Sequence, residues 1–146
     1  MGNSIMLENL DADASIEQIR AFFERDQFAR ECLGAVVDSY DPQTGAATVS
    51  MTIDDRHHNA QGFVMGGVLF SLSDFALAVA TNMGQEASSS VSSAIQFMRR
   101  AKGGRLIATA RPDKIGRALT FFTIDVEDEL GTHVCRMTAT CMRTDH

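Results

Sequence analysis

Residues 68–81, VLFSLSDFALAVAT, form the segment that decides the fold. Two glycines precede it and another follows three residues after its end. Its side chains are apolar on nearly every face of a helix, which is typical of a helix buried in a protein or in a membrane. A bilayer span needs about 20 apolar residues and tolerates an acid poorly, whereas this segment is shorter and contains Asp74. The sequence therefore predicts a buried central helix over about residues 67–82.

The segments around this helix predict an antiparallel sheet. Before it, Ser15 starts an amphipathic pattern that predicts a helix to about Leu33, ended by Gly34. Alternating or apolar segments bounded by turn residues predict strands at 35–40, 47–53, 89–99, 105–111, 119–128 and 132–143. Long strands joined by short turns indicate an antiparallel sheet. We therefore expect one α+β domain over residues 1–146, with a polar lead-in at 1–14 and a long sheet wrapped around the central helix.

Composition narrows the classes of function. Apolar residues make up 45% of the 146 residues and charged residues 22%, which indicates a globular chain. The net charge of −6 argues against a nucleic-acid partner, because phosphate backbones are bound by basic faces. The three cysteines show no CxxC spacing and the histidines no metal-ligand spacing, so we expect no disulfide framework and no metal site. The start of the chain carries no signal-peptide pattern, and we expect a cytoplasmic protein without membrane association.

Asp74 is the main candidate for chemistry. It lies in the middle of the apolar segment, and no lysine or arginine lies within two helical turns of it along the chain. A buried carboxylate costs several kcal/mol unless it is paired or hydrogen-bonded. Two interpretations stay open at this point: Asp74 is a catalytic acid, or it faces a distant arginine or the rim of the helix.

The start of the central helix is a second candidate. Gly66 and Gly67 allow a ligand to approach backbone N–H groups at the positive end of the helix dipole, although glycines there are equally explained by tight packing of a turn. Gly66 and Asp74 are eight residues apart, which is roughly 12 Å along a helix axis. If both act on one bond, they must come from two antiparallel copies of the helix. A catalytic role for both therefore predicts a site shared by two chains.

Other residues are weaker candidates. One group of basic residues stands out in this acidic chain and comprises Arg99, Arg100, Lys102 and Arg105. It is either a solvated surface or a binding site for the phosphates of a nucleotide-bearing ligand. Cys135 and Cys141 lie six residues apart on one face of a strand and are expected in the core.

Several motifs together resemble one family, the PaaI-type (phenylacetate-pathway) hotdog-fold acyl-CoA thioesterases. They are DQFA at 26–29, RHHN at 56–59, GFVMGG at 62–67, LFSLSD at 69–74, IQFMRRAKGG at 95–104 and IGR at 115–117. The resemblance extends from about residue 20 over nearly all of the remaining chain. It implies a hotdog fold and a dimer, or dimer of dimers, that hydrolyses a small or aromatic acyl-CoA.

The resemblance also assigns roles. It implies that Asn59 positions the water or the thioester, that the Gly66 N–H polarises the thioester carbonyl, and that the partner subunit contributes Asp74 as general base or nucleophile. A serine on the following strand would assist Asp74; Ser90 and Ser92 are both expected on the same strand face, and Ser90 is preferred. No metal or cofactor is implied, since coenzyme A is part of the substrate. The residues expected to contact substrate are Met65, Gly67, Ser92, Arg99, Arg100, Lys102 and Arg117.

Two positions depart from the family pattern. Met65 replaces the usual histidine before the glycine pair, and a thioether cannot donate the hydrogen bond that histidine would supply. Arg100 replaces a frequent proline and adds a cation. Two alternatives stay open: a hotdog hydratase or dehydratase using His57 or His58, and a hotdog protein that binds an acyl-CoA without turnover, for which Met65 is the argument.

Overall fold

The computed structural model describes residues 10–84 and 87–144. Six strands are formed within these residues: β1 Val36–Asp41, β2 Ala46–Thr52, β3 Ser88–Phe97, β4 Arg105–Ile115, β5 Leu119–Asp128 and β6 His133–Arg143. They make one sheet in the order β1-β2-β4-β5-β6-β3, and every neighbouring pair is antiparallel. The predicted antiparallel sheet is confirmed, and its strands lie within a few residues of their predicted bounds.

One helix packs across the inner face of this sheet. It is α2, Gly66–Thr81, whose Leu72, Ala76 and Val79 are fully buried. Burying a leucine of this kind stabilises the fold by roughly 1.5–3 kcal/mol. The sheet supplies the opposite side of the core from alternate positions of its strands, among them Val49, Leu106, Ala108, Phe122, Ile124 and Met137. A long sheet wrapped around one apolar helix is the hotdog fold that the sequence predicts.

The central helix is not enclosed on every side. Gly67, Phe70 and Asp74 recur at helical spacing and are all exposed in the single chain. The predicted buried central helix is confirmed, and this one face of it is left open. Because Phe70 is a large apolar side chain, the open face is unusual for a helix in contact with water alone.

The N-terminal helix is shorter than predicted. It is α1, Ile16–Phe23, and Ser15 caps it in a capping box with Gln18. The chain then breaks and forms a separate π-helical turn, Phe28–Leu33, ended by Gly34 in the left-handed conformation (φ 67°).

The break has a geometric cause. Ile19 and Phe23 share one helix face and are buried, but five more residues in a regular helix would turn Phe28 about 140° from Phe23. Phe28 is instead 62% exposed, and the break lets Ala29 and Leu33 reach the core. The prediction of one continuous helix to Leu33 is therefore wrong, whereas its end at Gly34 is confirmed.

Residues 1–9, most of the expected lead-in, lie outside the described residues, and Leu10 forms a parallel bridge with Met83. Cys135 and Cys141 are buried in β6, as predicted, and burial raises the pKa of the Cys135 thiol to about 11. None of the described helices has the length and apolar character needed to cross a membrane.

Candidate active site

The start of α2 presents backbone N–H groups to the surface. Met65 is the N-cap residue, and its side chain makes no capping hydrogen bond. By helix geometry the Gly66 and Gly67 amides have no acceptor within the helix, so they are available to a ligand. A Cβ on Gly66 would lie 3.2 Å from the Phe97 ring, and one on Gly67 would lie 2.7 Å from the Met65 methyl group. The Met65 side chain therefore folds over the helix start at Gly67, although its flexible end could move aside for a Cβ.

The loop before α2 fixes the orientation of Asn59. Its Oδ1 accepts hydrogen bonds from the backbone N–H groups of Gln61 (3.0 Å) and Phe63 (3.1 Å). Because two donors point at this atom, it must be the oxygen, and the side-chain NH₂ remains for another partner. Asn59 is exposed at the edge of a cavity. It therefore offers a ligand a hydrogen-bond donor.

Asn59 and Gly66 line the same cavity, which has a volume of about 480 Å³. Its wall also includes part of the loop between β3 and β4, residues 98–103, which we call the basic loop because it carries Arg99, Arg100 and Lys102. Arg99 and Arg100 both line the cavity. The guanidinium of Arg100 lies 3.5 Å from the centre of the Phe63 ring, a cation–π contact that joins the two loops at the cavity wall. We call this arrangement the donor half of the site.

Asp74 lies on the open face of α2, two turns further along the helix. Desolvation by surrounding protein atoms raises the pKa of Asp74, although its side chain is still accessible to solvent in the single chain. No ion pair within residues 10–84 and 87–144 engages this carboxylate. Asp26 lies near enough for the charge of Asp74 to affect it. Burial, and to a smaller extent the charge of Asp74, raise the pKa of Asp26. Sequence analysis assigned Asp26 no role, although it begins the first of the family motifs.

The strand β3 supplies hydroxyl groups on the same side of the sheet as α2. Ser90 pairs with the buried Cys141, and the charge of Asp74 contributes to raising the pKa of the Cys141 thiol, after desolvation. Ser90 Oγ lies 3.2 Å from Ser93 Oγ. We call Asp74, Asp26, Ser90 and Ser93 the carboxylate half of the site.

A β-bulge at Val91 separates Ser90 from Ser92. Ser90 pairs with Cys141, but Ser92 pairs with Thr140, the next residue of β6, so the two serines point to opposite faces of the sheet. The expectation that Ser90 and Ser92 share a strand face is wrong, and the preference for Ser90 agrees with the geometry. Sequence alternation alone gave no sign of the extra residue.

The two halves do not meet within one chain. Gly66 and Asp74 are both in α2, which places them roughly 12 Å apart along its axis. Arg117 lies in the turn that joins β4 to β5, at the opposite end of that hairpin from the basic loop. Lys102 is exposed in the basic loop, and its side chain does not line the cavity.

The two loop histidines differ. His57 is buried; its Nδ1 accepts from the Asp54 N–H (3.0 Å), so its Nε2–H donates to the Cys32 carbonyl (2.9 Å). Both ring nitrogens are thus used in holding the loop. His58 lines the cavity, and its Nδ1 is 3.9 Å from Asp55 Oδ1. Histidine, cysteine, aspartate and glutamate side chains of the described residues form no cluster of three that could hold a metal ion.

Comparison with known proteins agrees with this architecture. Residues 61–135 match the family model described as the thioesterase superfamily. The chain is 32% identical over 96 residues to a Deinococcus radiodurans protein provisionally named an esterase, and the match covers 66% of this chain and 64% of that protein.

Solved structures show the same fold. The PaaI protein from the phenylacetic acid degradation operon of E. coli is 26% identical, with a TM-score of 0.75 over 88% of this chain and 96% of that one. A Streptococcus mutans protein solved with bound acetyl CoA is 24% identical, with a TM-score of 0.69 over 74% of this chain and 86% of that one.

Proposed function

Because the chain belongs to the thioesterase superfamily, we propose that it hydrolyses a small or aromatic acyl-CoA to the free acid and coenzyme A, at a site shared by two subunits. The observation that carries this proposal is the separation of the donor half from the carboxylate half along one helix. Each half contains one part of the chemistry that thioester hydrolysis needs, and neither half is complete by itself.

The donor half is suited to the thioester carbonyl. As water adds to that carbon, negative charge develops on the carbonyl oxygen. The Gly66 N–H, at the positive end of α2, and the free NH₂ of Asn59 both donate hydrogen bonds and favour that charge. Phe97 packs against Gly66 and keeps the start of the helix in a partly apolar setting, where such hydrogen bonds are stronger than in water.

The carboxylate half is suited to activating water. Desolvation raises the pKa of Asp74, which makes it a stronger base than an ordinary aspartate. In the proposed reaction the Asp74 carboxylate takes a proton from the attacking water as the new C–O bond forms. The C–S bond then breaks, and this proton passes from Asp74 to the departing sulfur, so that CoA leaves as the thiol and Asp74 is again a carboxylate. The same carboxylate could attack the carbonyl carbon directly, in which case water hydrolyses the resulting anhydride. Ser90 pairs with Cys141, whose thiol pKa the charge of Asp74 helps to raise, and in the proposed site it would donate a hydrogen bond to the Asp74 carboxylate.

A second copy of the chain would bring the halves together. The open face of α2 includes the exposed Phe70 beside Asp74. The strand β3 forms one edge of the sheet and carries exposed apolar side chains, with Val91 55% exposed and Phe97 56% exposed. Pairing two such edges, with the two helices antiparallel, satisfies the edge N–H and C=O groups and covers these apolar side chains.

The nucleotide part of the substrate would meet the basic loop. Arg99 and Arg100 are exposed at the cavity wall, and a guanidinium binds phosphate through paired charge-assisted hydrogen bonds. Arg117 lies at the same end of the sheet as the carboxylate half, so it would reach a shared site only from the partner subunit. The fold is known to hold such a ligand, since the S. mutans protein was solved with acetyl CoA.

The alternatives have different support. A hydratase would need a catalytic histidine. His57 has no free ring nitrogen for acid–base chemistry, so only His58, which lines the cavity, supports this alternative. Binding without turnover is favoured by one observation, the Met65 side chain folded over the helix start.

The test is release of free CoA from a panel of acyl-CoAs by wild type and Asp74→Asn. Asp113→Asn is the matched control, because Asp113 is exposed on β4 and the amide oxygen can still accept from the Thr123 hydroxyl. We expect Asp74→Asn to fold and to bind acyl-CoA but to lose kcat by about 10²-fold or more. Near-normal turnover in Asp74→Asn would remove Asp74 from the mechanism. Absence of turnover by wild type on the whole panel would favour the binding protein.

A further inference from the structure

The backbone of the basic loop is held by a buried carboxylate from the turn between β5 and β6. Asp128 is 2% exposed, and its Oδ2 accepts hydrogen bonds from the backbone N–H groups of Lys102 (2.8 Å) and Gly103 (3.0 Å). Its Oδ1 accepts from the N–H groups of Leu130 (3.0 Å) and Thr132 (2.8 Å). One side chain therefore joins the basic loop to the adjacent turn, 25 or more residues further along the chain.

The neighbouring Glu129 adds a second attachment. Its carboxylate oxygens accept from the N–H groups of Gly104 (2.6 Å) and Arg105 (2.9 Å). A Cβ on Gly103 would collide with this carboxylate, whereas a Cβ on Gly104 would meet no atom within 4 Å. Glycine is therefore required at 103 for the close approach of Glu129, and it is not required for space at 104.

The position of the loop backbone decides where its cations lie. Both Met98 and Arg99 donate from their N–H groups to the Val134 carbonyl (2.9 and 3.2 Å), which fixes the start of the loop. Asp128 fixes its end. Between these two attachments Arg99 and Arg100 line the cavity, and Arg100 stacks on Phe63.

We propose that Asp128 is a positioning residue for substrate binding, which holds the basic loop so that Arg99 and Arg100 meet the phosphates of the nucleotide part of the substrate. The proposal rests on the proposed function for the identity of the ligand. Four N–H donors at 2.8–3.0 Å require both oxygens of a carboxylate. In Asp128→Asn one oxygen becomes an NH₂ group, which cannot accept from them.

The test compares wild type with Asp128→Asn and Gly103→Ala, and Gly104→Ala is the matched control. kcat and KM are measured for an acyl-CoA and for the same acyl group on pantetheine, a thioester without the nucleotide phosphates. We expect Asp128→Asn and Gly103→Ala to raise KM for the acyl-CoA about tenfold, the scale of weakening one charge-assisted contact, with kcat unchanged. KM for the pantetheine thioester should stay at the wild-type value in both, and Gly104→Ala should resemble wild type with both substrates.

Equal losses with both substrates, or a fall in kcat alone, would overturn the proposal and leave Asp128 a purely structural residue. If Asp128→Asn does not fold, Lys102→Pro decides, with Lys102→Ala as its control: the proline lacks the N–H that donates to Asp128 Oδ2, whereas the alanine keeps it and loses the same side chain. An equal KM for acyl-CoA in these two variants contradicts the proposal. If wild type hydrolyses no acyl-CoA, the proposed function fails, and calorimetric titration of CoA and pantetheine into the same variants decides the role of Asp128. Weaker binding of CoA by Asp128→Asn, with unchanged binding of pantetheine, supports the positioning role of Asp128. Unchanged affinity for CoA overturns that role.

Discussion

At the scale of single residues, the Asp74 carboxylate should serve activity at some cost to stability. Desolvation raises its pKa in the folded chain above the usual value. The charged form is therefore disfavoured by folding. The destabilising effect is absent at low pH, where the group is protonated in both states; it grows as pH rises above the unfolded-state pKa and is complete above the folded-state pKa. At pH 7 we expect Asp74→Asn to be at least as stable as wild type by thermal unfolding, although it is inactive.

The pH dependence of kcat offers a second measurement of the same residue. A general base must be deprotonated, so kcat should rise with pH through the raised pKa of Asp74 and then reach a plateau. Burial and the charge of Asp74 raise the pKa of Asp26. Because repulsion between two carboxylates is mutual, we expect Asp26 to act on Asp74 in turn. Asp26→Asn should move the rising limb to lower pH without abolishing turnover. A limb that does not move would contradict this coupling.

Met65 is predicted to limit activity. Its thioether cannot donate a hydrogen bond, and its methyl group lies against Gly67 at the start of α2. Met65→His would restore a donor at this position, and we expect kcat/KM to rise about tenfold, less than the usual effect of a complete oxyanion donor. Met65→Leu is the control without a donor and should resemble wild type. An equal rise in both variants would show that size alone is responsible.

Some residues of the proposed site stand out in the sequence and others do not. Asp74 and Gly66 stand out because an acid and a glycine pair are anomalies in an apolar helix, whereas Asn59 and Ser90 are proposed from the family resemblance. The opposite directions of Ser90 and Ser92 depend on the bulge at Val91, and a single extra residue leaves no trace in a segment of five serines and one valine, residues 88–93.

At the scale of elements, the turn between β5 and β6 should make stability sensitive to acid. Backbone N–H donors hold the pKa of Asp128 well below its usual range, more than offsetting the opposing effect of desolvation. Its stabilising effect is therefore complete above the unfolded-state pKa of about 4 and is lost as pH falls towards the folded-state value. Asp128→Asn should lower the free energy of unfolding by roughly 2 kcal/mol at pH 7, because buried N–H groups lose an acceptor. The deficit should shrink at low pH; one that is constant from pH 7 to pH 2 would contradict the account.

The helices and strands were more predictable than the breaks between them. The helix α2 and the six strands follow from apolar patterning, which reflects the burial that stabilises them. The break between α1 and the π-helical turn was missed because Phe28 continues an apolar sequence while pointing away from the core. Hydrophobicity alone could not distinguish a buried phenylalanine from one that is exposed in a single chain.

At the scale of the whole molecule, the open face of α2 should be the surface that a second subunit covers. Phe70 is 37% exposed beside Asp74, and burying it would favour a dimer. We expect wild type to be at least dimeric at micromolar concentration by light scattering, and Phe70→Asp to be monomeric and inactive. Val36→Asp is the control, since Val36 is 39% exposed on β1 at the other edge of the sheet. A monomeric wild type that still hydrolyses thioesters would contradict the shared site.

Mixed dimers test the shared site most directly. Asn59→Asp keeps the oxygen that accepts from Gln61 and Phe63 but loses the NH₂ donor, whereas Asp74→Asn loses the base. Each variant alone should be inactive. Co-expressed in equal amounts, they should recover about a quarter of wild-type activity, because half of the dimers are mixed and each mixed dimer contains one intact site. Activity no greater than that of the separate variants would contradict the account, because it would place both halves of the site within one chain.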